Sequence, residues 1–388
     1  MEGDFIKINK WLLPLSWLYG CGVKFRNFLF DVGILKSQQF PLPVISVGNI
    51  TVGGTGKTPH VEYLIRLLKD TTKVAVLSRG YKRHSEGFII ADETHSAYDI
   101  GDEPYQMKRK FPNITIAVDK DRVHGIQQLT EQVKDIEAIL LDDAFQHRYV
   151  KPGINILLVD YHRLIVYDAL LPAGRLREPL EGKERADMVI VTKCPTELKP
   201  MEFRVITKAM SLYPYQNLFF TTLEYEDLHH LYQQETRALS DIKSDEHILL
   251  LTGIASPRQL VEDLMPYTQK LHPLSFSDHH QFTEKDVALI NDTFASLPSP
   301  KSIITTEKDA VRILETQGFS KEISDNIFVL PIRIKFLQEQ QIIFNEKIIG
   351  YVRKNSKNSI LVKEQDDIKP QNSHHSGNRP RTISFRDN

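Results

Sequence analysis

The chain has 388 residues, 41% of them hydrophobic, which predicts a substantial buried core divided between two domains. A net charge of −1 argues against bulk electrostatic attraction to nucleic acid, and nothing in the composition points to a protein partner. Cys21 and Cys194 are the only cysteines and lack metal-ligand spacing, which favours a reducing compartment. No apolar run reaches the roughly 18–20 residues that span a bilayer.

The N-terminal segment, residues 1–30, is rich in tryptophan, leucine and flanking basic residues. It contains both tryptophans of the chain, Trp11 and Trp17. This composition suits an amphipathic helix lying in a membrane interface. A helix packed on the protein's own core fits the composition equally well. Early acidic residues (Glu2 and Asp4) and the lack of a small-residue cleavage site argue against a secretory signal.

A glycine-rich stretch follows the first predicted strand, residues 44–47, and precedes apolar residues at helical spacing. Strand, glycine loop, Lys-Thr and helix form the pattern that cradles nucleotide phosphates. Glycines let backbone N–H groups turn toward an anion, and the helix N-terminus adds its positive dipole end. The predicted nucleotide-binding residues are Thr51, Val52, Gly53, Gly54, Thr55, Gly56, Lys57 and Thr58.

Two residues of this loop have predicted chemical roles. Lys57 is expected to reach the β- and γ-phosphates, and the Thr58 hydroxyl to ligate Mg²⁺. Thr51 stands where the usual pattern has its first glycine, so we expect Gly53 and Gly54 to supply the backbone freedom. A nucleotide and Mg²⁺ are therefore expected to bind at this loop.

Two acidic residues, Asp142 and Asp143, end a predicted buried strand. A carboxylate beside a phosphate loop is expected to face Mg²⁺ directly or through water. Adjacent strand residues point to opposite faces, so one should approach the metal while the other orients a loop or a substrate group. Gln146 and His147 follow at the same mouth and are candidates for substrate contact.

Three further side chains are candidates at loops. Arg79 and Tyr81 follow a predicted strand at the carboxyl edge, where ligands bind in open α/β sheets. A solvated loop explains them as well as contact with an anionic substrate does. Arg177 lies in a loop bounded by prolines and a glycine, and such an arginine can neutralise charge on a transferred phosphoryl group. An ordinary surface arginine is the competing explanation.

Two other motifs remain ambiguous on local grounds. Asp102 precedes Pro104 at a predicted helix start, where an N-cap is the better local interpretation. His279, in the Asp-His-His run at residues 278–280, lies in the loop before another predicted helix. A metal site at His279 would need further ligands, and none lies at a suitable spacing. A role in proton transfer remains open. The default interpretation is a structural loop histidine.

The rest of the chain defines the predicted organisation. Residues 192–194 lack the aspartate of a guanine-specific motif, which favours adenine, and a second α/β run begins near residue 248. We predict an α/β fold: a P-loop nucleotide-binding core with a mostly parallel sheet, plus a smaller C-terminal α/β domain and an N-terminal membrane-associated helix. The predicted divisions are the N-terminal segment 1–30, the P-loop domain 31–223, the smaller domain 224–353 and a disordered tail 354–388.

Taken together, the motifs closely resemble the tetraacyldisaccharide 4′-kinase (lipid A 4′-kinase) family. The motifs in question are residues 48–59, 77–81, 101–104, 142–147, 171–179, 278–280 and 306–310. The resemblance implies that the γ-phosphoryl group of MgATP is transferred to the 4′-hydroxyl of a lipid A disaccharide 1-phosphate. It also implies peripheral attachment at the cytoplasmic face of the bacterial inner membrane, with the N-terminal helix docked on the membrane surface.

The resemblance further implies a catalytic pair on two domains. Asp102 would accept the proton of the sugar hydroxyl, and His279 would orient Asp102 or raise its basicity. The second domain would then have to close over the first. One departure from the family is Ala144, where glycine is usual; a positive φ there would cost about 1 kcal/mol.

Two alternatives stay open from sequence alone. A P-loop nucleotide switch, or another small-molecule kinase at the membrane surface, would share the glycine loop; a guanine-versus-adenine binding assay tests the switch. A peripheral membrane module with a vestigial nucleotide site would behave like the wild type after Lys57→Ala.

Overall fold

The structure, a computed structural model, describes residues 8–254, 257–278 and 280–356. Residues 1–7 of the predicted N-terminal segment, His279 and most of the predicted tail therefore lie outside the described residues. The strands are β1 (Val44–Gly48), β2 (Val74–Ser78), β3 (Ile89–Ile90), β4 (Thr115–Val118), β5 (Ala138–Asp142), β6 (Ile154–Asp160), β7 (Met188–Thr192), β8 (Asn217–Tyr225), β9 (Leu228–His230), β10 (Thr236–Arg237), β11 (His247–Thr252), β12 (Leu271–Ser275), β13 (Lys301–Thr306), β14 (Ile327–Leu330) and β15 (Ile332–Phe336).

Helices alternate with the strands through most of the described chain. They are α1 (Leu13–Asp31), α2 (Lys57–Leu68), α3 (Ala97–Ile100), α4 (Asp102–Lys110), α5 (Arg122–Gln132), α6 (Pro200–Met210), α7 (Arg258–Leu264), α8 (Glu284–Ser296), α9 (Glu307–Glu315), α10 (Lys321–Ser324) and α11 (Gln340–Asn355). None of the described helices is long and apolar enough to cross a membrane.

The larger sheet has the strand order β15-β8-β7-β6-β1-β5-β2-β4-β3 and is parallel except at its two edges. Both faces are buried, and successive β5 residues alternate between them: Leu140 packs with helices α2 and α11, whereas Ile139 and Leu141 pack with α5. Burial on both faces explains why its strands are continuous apolar runs. The pairing of Val47 with Asp142 places the loops after β1 and β5 side by side.

The smaller sheet has the order β10-β9-β14-β13-β11-β12, and its central strands are parallel. The polar stretch after Leu223 contains the edge strand β10 and its neighbour β9. The apolar run at residues 327–332 is divided at Pro331: β14 belongs to the smaller sheet, and β15 pairs antiparallel with β8 of the larger one. Proline lacks the N–H that would continue a ladder.

After Pro331 the chain leaves the smaller sheet, and its last described elements, β15 and α11, pack with the larger sheet. Phe344, Ile348 and Val352 of α11 are buried in the same core as β1 and α2. The sheet that we assigned to residues 224–353 therefore occupies β9 to β14, while β15 and α11 pack with the larger sheet.

Candidate active site

The glycine loop, residues 49–56, joins β1 to α2 at the carboxyl edge of the larger sheet. Two of its residues need the conformational freedom of glycine: Gly53 has φ +112° and Gly56 has φ +81°. Helix α2 then begins at Lys57, so its first N–H groups and Lys57 face the same side of the loop. The Nδ1 atom of His60 lies 2.7 Å from the Gly56 carbonyl oxygen and closes this turn.

Asn49 organises the loop from inside, a role that sequence reasoning missed. Its fully buried amide donates to the Thr55 hydroxyl at 2.9 Å and to the Thr51 hydroxyl at 3.3 Å. The hydroxyl of Thr192, at the end of β7, donates to the Thr55 carbonyl at 3.0 Å. Thr51, in place of the usual first glycine, therefore takes part in fixing the loop.

A second loop pairs with the glycine loop and brings Arg177 to it. Arg177 N donates to the Ile50 carbonyl at 2.7 Å, and Val52 N donates to the Arg175 carbonyl at 2.8 Å. The Arg177 side chain donates from Nη2 to the Asn49 carbonyl at 3.0 Å and also to the Asn49 side-chain oxygen. Arg177 is therefore a partly buried residue of the site, not a free surface arginine.

Asp143 forms ion pairs with both Lys57 and Arg177. Its Oδ1 atom lies 3.1 Å from Arg177 Nη2 and 3.8 Å from Lys57 Nζ. Burial opposes ionisation of Asp143, but Lys57 and Arg177 outweigh it and hold the pKa of this carboxyl below its ordinary value. The positive φ at this junction belongs to Asp143 (+45°), and Ala144 is not among the described residues with positive φ, so the condition for strain at Ala144 is not met. Aspartate adopts this conformation more readily than most residues.

Asp142 has a different environment, as the alternation of strand residues predicts. It is fully buried, and its Oδ2 atom accepts a hydrogen bond from the Ser78 hydroxyl at 3.0 Å. Its Oδ1 atom has no hydrogen-bond partner among the residues that the structure describes. Burial and the neighbouring charge of Asp143 raise the pKa of Asp142.

Arg122, at the start of α5, supports the two aspartates from behind and was not predicted as a site residue. Its Nη2 atom donates to the carbonyls of Asp142 at 3.2 Å and Asp143 at 3.4 Å. Burial lowers the pKa of Arg122 to about 10, and both aspartates oppose that shift. The signal in the sequence was an arginine four residues after the end of β4, at the same sheet edge as the glycine loop.

Asp102 is the first residue of α4, and its side chain does not cap that helix. The N-cap position belongs to Gly101, so the local N-cap interpretation of Asp102 is wrong. The Asp102 carboxylate accepts hydrogen bonds from Arg312 of α9, at 2.7 Å from Nη2 and 3.2 Å from Nε. Asp102 therefore lies where the two sheets' helices meet.

Glu103 follows Asp102 on α4 and is a third residue that the sequence did not predict, after Asn49 and Arg122. Burial and the charge of Asp142 raise the pKa of Glu103 to about 7, whereas Lys57 and Lys308 oppose the shift. One turn further along α4, Gln106 donates to Glu62 at 2.9 Å, so α4 packs on α2, the helix that begins at Lys57. Lys308 itself comes from α9 of the smaller sheet, where it pairs with Asp278 at 2.9 Å.

The predicted substrate contacts are placed unevenly. Arg79 and Tyr81 are exposed at the edge where β2 ends. Gln146 instead donates to the Asn49 carbonyl, so its side chain supports the glycine loop. His147 is half-buried, and burial together with the Arg122 charge lowers the pKa of His147 to about 4. His279, the proposed partner of Asp102, lies outside the described residues.

Comparison with known proteins decides the family. The family model described as tetraacyldisaccharide-1-P 4′-kinase (LpxK) matches residues 8–353. The chain belongs to the tetraacyldisaccharide 4′-kinase family. A tetraacyldisaccharide 4′-kinase of Phocaeicola vulgatus is 60% identical, with 92% of this chain and 99% of the relative covered. A Porphyromonas gingivalis member of the family is 44% identical over 90% of this chain and 99% of its own length.

A solved structure of the same family has the same fold. The crystal structure of LpxK from Aquifex aeolicus in complex with ATP has a TM-score of 0.69 and 32% sequence identity, and the match covers 89% of this chain and 99% of that chain. The predicted α/β architecture with mostly parallel sheets is confirmed by this likeness and by the strand pairing.

Proposed function

We propose that this chain is a lipid A 4′-kinase, which transfers the γ-phosphoryl group of ATP to the 4′-hydroxyl of a lipid A disaccharide 1-phosphate during lipopolysaccharide biosynthesis. Family membership over residues 8–353 and the ATP complex of a solved relative support this assignment. The observation that carries it is the cluster beside the glycine loop, where Lys57 and Arg177 share one oxygen of Asp143.

The glycine loop and the start of α2 would hold the triphosphate. The positive φ values at Gly53 and Gly56 let backbone N–H groups turn inward, and the N-terminus of α2 adds its dipole. Lys57 would bind the β- and γ-phosphates, and the loop from Thr51 to Gly56 would supply backbone donors.

Asp142 and Thr58 are the residues that we assign to Mg²⁺. The buried Oδ1 of Asp142, which has no hydrogen-bond partner among the described residues, is a carboxylate oxygen of the kind that Mg²⁺ prefers. Magnesium in phosphoryl-transfer sites is typically held by one or two carboxylates, a hydroxyl and the phosphates. When bound, Mg²⁺ would neutralise charge on the phosphates. Asp143 would instead position Lys57 and Arg177.

Asp102 is proposed as the general base. It would take the proton of the 4′-hydroxyl as that oxygen forms a bond to the γ-phosphorus and the bond to the ADP oxygen breaks. The packing of α4 on α2, through the hydrogen bond from Gln106 to Glu62 at 2.9 Å, supports this placement. His279 would orient Asp102, as the family resemblance implies.

Arg177 would stabilise the charge that develops on the transferred group. Its guanidinium is held by Asn49 and Asp143, so little reorganisation is needed at the moment of transfer. Arg79 and Tyr81 remain proposed substrate contacts because they are exposed at the same sheet edge, and the half-buried His147 remains a third. Gln146 would act on substrate only through the loop that it braces.

The N-terminal helix is proposed to lie on the cytoplasmic face of the bacterial inner membrane. Large apolar side chains cover its outer side: Trp11, Leu13, Leu15, Trp17, Leu18, Phe25 and Phe28 are exposed. A patch of this kind, with Lys10 and Lys24 beside it, suits an interfacial helix. Its inner side is tied to the site, because Tyr19 donates to the Arg177 carbonyl at 2.8 Å and Ser16 donates to the Leu170 carbonyl at 2.9 Å.

The test is transfer of labelled γ-phosphate from ATP to tetraacyldisaccharide 1-phosphate in detergent micelles. We expect a product that depends on Mg²⁺, and a large loss of kcat in Asp102→Asn. Asp99→Asn is the matched control, since Asp99 lies three residues earlier and only caps α3. Absence of product with intact protein, or full activity in Asp102→Asn, would contradict the proposal.

A further inference from the structure

Helix α9 of the smaller sheet contacts the α3–α4 segment of the larger unit through three side chains. Glu307 Oε1 lies 2.5 Å from Lys110 Nζ, Arg312 reaches Asp102, and Glu315 Oε1 accepts a hydrogen bond from Ala97 N at 2.7 Å. These contacts occur at the beginning, middle and end of α9. The helix therefore docks along its whole length on the segment that contains the proposed base.

Arg312 differs from the two docking glutamates because its side chain is almost completely buried. Only 1% of it is exposed, and the Asp102 side chain is 13% exposed. Two of its nitrogens, Nη2 and Nε, donate to the same Asp102 oxygen at 2.7 and 3.2 Å. Two donors from one rigid, planar group converge on this oxygen and fix its position relative to α9 more firmly than a single contact does.

The other end of the guanidinium is anchored inside the smaller sheet. Arg312 Nη1 donates to Asp309 Oδ1 at 3.0 Å, and Asp309 is fully buried. The second Asp309 oxygen accepts from Gly253 N at 2.9 Å and from the Thr306 hydroxyl at 2.7 Å. Gly253 directly follows β11, and Thr306 is the last residue of β13. Arg312 is therefore fixed relative to these two strands.

We infer that Arg312 is a positioning residue that holds the Asp102 carboxylate in its proton-accepting orientation, so that the smaller sheet supplies part of the catalytic geometry. The inference rests on the proposed role of Asp102 as base. Burying a cation between two carboxylates is costly unless all three groups are paired, as they are here. A role in docking alone would not require this series of buried ion pairs, because Glu307 and Glu315 already dock α9 through contacts of their own.

The inference predicts a loss in the chemical step and not in substrate binding. Misplacing a catalytic group by about 1 Å can cost on the order of 10²-fold in rate, so we expect Arg312→Met to lower kcat by about 10²-fold. The KM values for ATP and for the lipid should change by no more than about twofold. Arg312→Lys keeps the charge but not the two-nitrogen contact, so kcat should recover only partly, to about tenfold below the wild type.

Glu315→Gln is the matched docking control, since it alters another α9 contact to the same segment but leaves Arg312 and Asp102 intact. Its kcat should stay within about threefold of the wild type. If Arg312→Met fails to fold, Arg312→Met combined with Asp309→Asn removes the unpaired buried charge, and the same loss of kcat is expected from it. A thermal unfolding curve of each variant establishes that it is folded.

A double-mutant cycle separates this inference from the proposed function. In the Asp102→Asn background, Arg312→Met should cost no more than about a further twofold in kcat, because the group that it positions is gone. Wild-type activity of Asp102→Asn would overturn the base assignment itself. An inactive Asp102→Asn beside a fully active Arg312→Met would overturn the positioning role alone. The positioning role would also be overturned if the kcat losses of Asp102→Asn and Arg312→Met multiplied in the double variant. It would be overturned likewise if Glu315→Gln lost as much activity as Arg312→Met.

Discussion

Arg177 Nη2 and Lys57 Nζ face the same oxygen of Asp143, at 3.1 and 3.8 Å, although they belong to different loops. Asp143 thus holds two cations within one small volume at the N-terminus of α2. The electrostatic environment required for a developing negative charge is therefore arranged by the fold itself.

Lys57→Met should abolish most of the phosphoryl transfer while leaving the fold intact. Removing one preorganised donor at such a site costs on the order of 10²–10³-fold in kcat. Asp143 keeps its pairing with Arg177, so we expect little loss of stability. Labelled-phosphate transfer and thermal unfolding measure the two effects, with Lys69→Met at the exposed far end of α2 as control. Activity within about threefold of the wild type would exclude the assigned role.

Arg177 should be more sensitive to geometry than to charge. It contacts both Asn49 and Asp143, so Arg177→Gln should lower kcat by about 10²-fold or more. Arg177→Lys retains the charge but cannot make the same forked contacts. Its kcat should therefore lie between those of the wild type and Arg177→Gln. Arg175→Gln, at an exposed position of the same loop, should behave like the wild type. Equal kcat values for Arg177→Lys and the wild type would show that the guanidinium geometry is unimportant.

The residues that the sequence predicts well lie on local patterns. The glycine loop, Lys57 and the aspartate pair each follow a buried strand, and parallel pairing of neighbouring strands places their ends together. The different environments of Asp142 and Asp143 follow from the two-residue period of a strand.

The residues that the sequence could not predict depend on distant partners. Asp102 and Arg312 are 210 residues apart, so no local pattern distinguishes that ion pair from an ordinary helix start and a surface arginine. In the sequence, Asn49 cannot be distinguished from an ordinary loop asparagine, because only the folded loop brings the Thr51 and Thr55 hydroxyls to its amide. Pro331 lies within one apolar run, and only the pairing of β15 with β8 divides that run between two sheets.

Glu62 should make the stability of the protein depend on pH. Lys110 Nζ lies 2.7 Å from Glu62 and 2.5 Å from Glu307, so two carboxylates share one ammonium group. Burial and the Glu307 charge raise the pKa of Glu62 from 4.5 to about 7, against the opposing charges of Lys110 and Arg66. Between these two values the folded protein holds a proton that the unfolded chain has released. The free energy of unfolding therefore falls as pH rises through this window.

Glu62→Gln should remove this pH dependence, because the amide imitates the protonated carboxyl at every pH. Above about pH 7 the variant should be more stable than the wild type by about 1–3 kcal/mol, and below about pH 5 the two should be equal. Thermal unfolding midpoints across this range measure the difference, and Glu131→Gln on the exposed side of α5 is the control. An unchanged pH slope in Glu62→Gln would show that Glu62 is ionised throughout.

Membrane attachment can be measured without a label, because both tryptophans of the chain lie in the N-terminal segment. Trp11 is 94% exposed and Trp17 is 73% exposed, so their fluorescence should shift to shorter wavelength when vesicles of anionic phospholipid are added. In Trp17→Ser, where Trp11 remains as the reporter, the vesicle affinity should fall by about 10–100-fold, since burying one large apolar side chain contributes about 1.5–3 kcal/mol.

The control for this experiment is Ile343→Ser, because Ile343 is 53% exposed on α11, away from the N-terminal helix. Its vesicle affinity should equal that of the wild type, since the proposed contact depends on one surface and not on total exposed apolar area. Tyr19 ties that surface to the Arg177 carbonyl, so Trp17→Ser should also raise the KM for the micellar lipid while leaving the KM for ATP unchanged. An unshifted emission spectrum with vesicles, or equal losses in Trp17→Ser and Ile343→Ser, would contradict attachment through this helix.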